Sequence, residues 1–95
     1  MTPRCYRLTI PGQFTSWLAL LDPVTDGGRT GWMALDISYR EGDHIPSVTY
    51  LPVGEADISP YTPVPAELMR REAMHGLAIL QAAFEVATED GEVRV

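Results

Sequence analysis

Polar and apolar residues alternate along residues 4–10, with Tyr6, Leu8 and Ile10 on one face and Arg7 and Thr9 on the other. A period of two predicts a half-buried strand. Pro11 and Gly12 end it, and this pair suits the centre of a type II turn, so the chain should reverse into residues 14–21. That segment fits a second strand, although Phe14, Trp17, Leu18 and Leu21 also keep helical spacing and Thr15 or Ser16 could cap a helix. Asp22 and Pro23 predict its end, with loop chemistry from there to Thr30 through Asp26, Gly27 and Gly28. The clearest alternation lies over residues 31–40, where Met33, Leu35, Ile37 and Tyr39 oppose Trp32, Ala34, Asp36, Ser38 and Arg40. Glu41, Gly42, Asp43 and His44 then read as a turn, and residues 47–53 as a fourth strand. Pro52 places this strand at a sheet edge or marks its end, because it has no N–H to donate.

Beyond residue 53 the pattern changes. Pro60, Pro63 and Pro65 make residues 54–65 an extended, stiff connector, with Thr62 as N-cap and Pro63 at the first position of a helix spanning about residues 63–87. At about 100° per residue, Leu68, Met69, Ala73, Gly76, Leu77, Ile79, Leu80, Ala83, Phe84, Val86 and Ala87 fall within one half of that helix. This half is expected to lie on the sheet, and a helix of about 36 Å would cross a small sheet completely. Gly76 inside the apolar arc predicts close approach by a sheet residue such as Trp17 or Trp32. Gly91 should end the helix, with Val93, Arg94 and Val95 as a tail or short strand.

The expected fold class is therefore α+β in a single domain over residues 1–95: an antiparallel meander of three or four strands with one long C-terminal helix packed across one face. The alternative makes residues 15–21 a helix and residues 92–95 a strand, giving a ferredoxin-like β-α-β-β-α-β order.

Composition adds direction to this frame. The 95 residues carry a net charge of −6, all seven basic residues are Arg, and Lys and Asn are absent, a bias expected of a GC-rich bacterium or of a phage or plasmid living in one. Residues 1–48 hold four Arg against five acids, whereas residues 49–95 hold three Arg against eight acids. The C-terminal half should repel nucleic acid and attract basic partners. One cysteine, Cys5, excludes an internal disulfide, and the N-terminal residues lack the apolar run of a signal peptide, so a cytoplasmic, soluble protein is expected.

Catalytic signatures are missing. There is no Gly-rich phosphate loop, Gly-x-Ser-x-Gly elbow or His-Glu-x-x-His motif. Cys5 with His44 or His75 gives too few ligands for structural zinc and no oriented third group for a thiol nucleophile. The acidic, glycine-containing stretch at residues 22–28 misses the spacing of a calcium loop, and Glu41 and Asp43 read as solvated turn residues. Neither a metal nor a cofactor is expected. The surface residues singled out for partner binding are Trp32 on the sheet face away from the helix, Met74 in a shallow apolar strip with Ala78 and Ala82, and the carboxylates Glu85, Glu89, Asp90 and Glu92. The sequence thus points to a non-enzymatic inhibitor that occludes a basic, nucleic-acid-binding protein or nucleoprotein complex, as an anti-CRISPR or a toxin immunity protein does. The alternative is a small assembly subunit that homo-oligomerises through its sheet face or edge. No membrane and no direct nucleic-acid contact are expected.

Overall fold

The computed structural model describes residues 4–89. Strands β1 (Arg4–Ile10), β2 (Phe14–Asp26), β3 (Arg29–Arg40) and β4 (Ser47–Val53) form the predicted antiparallel meander, and helix α2 (Ala66–Glu89) packs on one face of it. Between β4 and α2 lie the single helical turn α1 (Glu55–Ile58) and a short fifth strand, β5 (Thr62–Val64), and the strand order is β4-β3-β2-β1-β5. The first turn closes as expected, the Gln13 N–H donating to the Ile10 carbonyl at 3.0 Å. Pro52 sits on edge strand β4, the setting its missing donor requires.

Three expectations are corrected. Residues 22–30 are not a loop: β2 runs on to Asp26 and pairs with β3 up to a hairpin turn at Gly27 and Gly28, whose φ values of 58° and 81° are those of a tight primed turn. Pro23 lies beyond the described β1–β2 ladder, which runs as far as Leu20, and a register shift between Leu20 and Asp22 absorbs Leu21. The connector at residues 54–65 contains structure, since Thr62, Pro63 and Val64 pair with Arg7, Tyr6 and Cys5. For the same reason Thr62 is no N-cap; the helix starts three residues later, the Pro65 carbonyl accepting from the Leu68 and Met69 N–H groups. Residues 15–21 are strand, as the first of the two readings has it, and the ferredoxin-like alternative falls away.

The pleat divides the side chains into two cores. Under α2, Cys5, Trp17, Ala19 and Ile37 bury against Met69, with Leu35, Tyr39, Val64 and Ala73 around them. On the opposite face Leu18, Leu20, Ala34 and Val53 pack with Tyr6, Trp32, Leu51, Ile58 and Tyr61. The α1–β5 connector thus covers the second face as a strap.

The helix does not cover the sheet completely. Met69 is 4% exposed, but Leu77, two turns on, is 59% exposed, and Phe84 and Val86 are exposed too. The axis enters from the β5 edge over β1 and β2 and leaves where β3 ends: a Cβ on Gly76 would lie 3.3 Å from the Tyr39 hydroxyl and 3.5 Å from both Ile37 Cγ2 and Pro46 Cγ. Close approach at Gly76 is therefore real, but the neighbours are Tyr39, Ile37 and Pro46 rather than a tryptophan.

Candidate functional site

Two places on the molecule carry chemistry or surface beyond what the fold needs. The first is a polar cluster on the strap side. Ser16 and Asp36 lie on the same face of neighbouring β2 and β3, and Ser38 follows Asp36 by one strand period. Ser16 Oγ donates to Asp36 Oδ1 at 2.7 Å and Ser38 Oγ donates to the same oxygen at 2.8 Å. The Tyr61 hydroxyl is 2.7 Å from Ser16 Oγ, and because the single Ser16 proton is committed to Asp36, Tyr61 is the donor in that bond. Burial raises the Tyr61 pKa, and the Asp36 and Asp57 charges raise it further.

An open cleft of about 380 Å³ lies over this cluster, lined by Phe14, Ser16, Asp36, Ser38, Arg40, Ser47 and Tyr61. The relay ends on a carboxylate to which the Ser16 and Ser38 protons are both committed, and among the described residues lining the cleft there is no imidazole or amine to take one. What it does is pin Tyr61, and with it the strap, to the sheet. Replacing Ser16 by alanine should cost about 1–3 kcal/mol in urea denaturation, since the Tyr61 hydroxyl and Asp36 each lose a partner in a half-buried site. Adding Tyr61→Phe on top should then cost much less than it does in the wild type. The sequence marked none of these residues; the available signal was a serine and an aspartate among the wet positions of two adjacent strands.

The remaining chemical candidates stay apart. Cys5 is buried in the helix-side core, where burial pushes its thiol up and keeps it protonated, while His44 and His75 are exposed in a turn and on α2. Among the described residues no three His, Cys, Asp or Glu side chains come together as a metal site. Asp22 lies in β2, its carboxylate a weak 3.5 Å from the Tyr50 hydroxyl, and Glu41 and Asp43 are exposed.

Tyr39, under α2, is the most perturbed titratable group. Burial first, and then Glu72 beside it, push its pKa from 10.0 to about 12. Its hydroxyl makes no hydrogen bond of good geometry, so the Glu72 contact is long or poorly aligned. A pKa raised in the folded state favours folding fully below the unfolded value and loses that contribution as pH climbs from about 10 to about 12. Absorbance at 295 nm should accordingly show Tyr39 ionising late in the folded protein. Glu72→Gln should bring that step to lower pH.

The second place is the outer part of α2 together with the sheet beside it. On the α2 side of β4, Val48 and Tyr50 are 42% and 55% exposed, Pro52 is exposed, and Leu35 beside Tyr50 is half-buried. On the helix beyond Gly76, Leu77 is exposed, and Ile79 and Leu80 are half-buried.

The residues proposed for partner contact are distributed as follows. Trp32 does lie on the face away from α2, but as part of the second core, with the Arg4 guanidinium 4.7 Å from its ring centroid. Trp17 is on the other face, in the main core, with Arg7 stacked 5.1 Å from its ring centroid, so the two tryptophans are not neighbours. Met74 is 66% exposed between exposed helix positions, and Ala78 and Ala82 are exposed as well. Glu85 is exposed and accepts from Gln81 Nε2 at 3.4 Å. Glu89 is the last residue of α2, and Asp90 and Glu92 lie outside the described residues. Helix α2 holds four acids, Glu67, Glu72, Glu85 and Glu89, against Arg70 and Arg71, with Glu67 facing Arg71 one turn on at 3.8 Å.

No protein family, curated protein or solved structure matches the chain. Among the described residues no helix is long and apolar enough to cross a membrane.

Proposed function

We propose that this is a non-enzymatic assembly subunit, whose work is to hold protein chains together through the surface left open at the outer part of α2 and the β4 side of the sheet. The observation that supports this is the exposure of Val48 and Tyr50 on one face of edge strand β4 and of Leu77 on the outer part of α2. Scattered apolar residues need no explanation, but large apolar side chains exposed on one face of a sheet edge are the form that protein interfaces take. Sedimentation at about 1 to 200 μM tests it. An associating species that persists from about 50 to 500 mM salt is expected, because burial of apolar surface is little affected by screening. A strict monomer throughout contradicts it.

A second reading is favoured by charge: eight acids against three Arg in residues 49–95 suit a protein that occludes a basic partner, a nucleic-acid-binding protein or nucleoprotein complex, as a phage-type inhibitor of bacterial defence would. In that case the carboxylates Glu85, Glu89, Asp90 and Glu92 pair with Arg or Lys. Retention of a basic partner near 50 mM salt, with release near 500 mM, is the expected signature. Binding that ignores salt excludes it.

A further inference from the structure

Resting on the assembly reading, we infer that the occupant of the open surface is a second copy of this chain, joined about a two-fold axis perpendicular to the sheet. The two β4 strands pair antiparallel, and each α2 crosses onto its partner's sheet.

Four features of the molecule converge on this geometry. The two sheet edges differ. Each carries one proline, but β5 has three residues with Pro63 at its centre, whereas β4 has seven, none of them charged, with Pro52 next to its end. Long uncharged edges are the ones that natural proteins cover, because their free N–H and C=O groups template pairing with another chain.

The helix is the second feature. From Gly76, above Tyr39 and Pro46, residues 77–89 carry α2 onward by about 20 Å, or roughly four strand spacings. That reach spans from one β4 across the partner's β4 and β3.

Register supplies the third. Antiparallel pairing of β4 with its copy places the start of one strand beside the end of the other. The helix leaves near the start of β4, where Pro46 lies, and this pairing sets that point beside the end of the partner's β4, where Pro52 is exposed. A two-fold axis perpendicular to the sheet keeps both helices on one side, as this exchange requires, and the contact is self-complementary, as in most homodimers.

Area is the last. Val48, Tyr50, Pro52 and Leu77 are exposed and Leu35 and Leu80 half-buried, which leaves a few hundred Å² of apolar surface per copy, and the edge backbone raises this toward the roughly 800 Å² per partner of a standard interface.

The test combines mass and position. Single cysteines are placed at positions 48 to 52 of β4, one per variant, and oxidised at about 50 μM, with the unaltered chain, whose Cys5 is buried, as the control. Cross-linked dimer is expected at one or two of these positions and not at the others, since only directly opposed residues come within disulfide reach. Leu77→Glu and Tyr50→Glu, both at exposed sites, should each weaken self-association at least tenfold in sedimentation while leaving the far-ultraviolet circular dichroism spectrum unchanged. A dimer by sedimentation that cross-links nowhere on β4 and tolerates Leu77→Glu overturns this geometry and leaves the assembly reading standing. A wild-type monomer at 200 μM overturns both.

Discussion

Trp17→Ala is expected to cost about 4 kcal/mol, the largest loss for a single truncation in this chain. Trp17 is 8% exposed, lies on central strand β2 opposite Ile37 and Arg7, and is a member of the core against which Met69 packs. Removing it opens a cavity in the middle of the sheet and also strips Arg7 of the ring it stacks on. With total stabilities of about 5–15 kcal/mol usual for domains, the variant should be largely unfolded at moderate urea. Trp32→Ala should cost about half as much, because Trp32 is only half-buried at the rim of the second core. Equilibrium urea denaturation at low protein concentration measures both. Equal losses at the two tryptophans would contradict the division of the sheet into a main core and a rim.

Met69→Ala and Leu77→Ala should separate by about 2–3 kcal/mol, although both residues belong to the apolar half of the same helix. Met69 is buried against Cys5, Trp17, Ala19 and Ile37, and truncating it should cost about 3 kcal/mol. Leu77 is already exposed, so its truncation should stay within about 0.5 kcal/mol for the isolated chain. If Leu77→Ala destabilises a dilute sample as much as Met69→Ala does, α2 covers more sheet within one chain than the structure shows.

This pair also shows where the sequence stopped being informative. A hydrophobic arc gives the angle of a side chain about the helix axis, not which turns lie over the sheet. Leu80 stands about 20° from Met69 on that arc, eleven residues on, yet it is only half-buried. Strands with long alternation were legible: Met33, Leu35, Ile37 and Tyr39 share the α2 face, and Trp32 the other, as the period of two requires. Strands without it were not. The pairing of Thr62, Pro63 and Val64 with β1 has no local pattern behind it, and Asp22-Pro23 reads as a stop although β2 runs through it in register with β3. Gly76 announced a close contact because an interior helix glycine is costly without one, but the contacting residue, Tyr39, depends on where the axis crosses. Of the surface residues, Met74 was readable from helical spacing alone. The β4 strip was not, since Val48 and Tyr50 look like core residues until α2 is seen to leave them bare.

The measurement that tests the central claim most directly is amide hydrogen exchange of the wild-type chain at about 1 μM and about 200 μM. If a second copy covers the open surface, protection should rise with concentration in residues 47–52 and 77–82 together, while the β1–β2 hairpin, already paired within one chain, keeps the same rate. Exchange that is identical at the two concentrations across β4 and the outer part of α2 would contradict it.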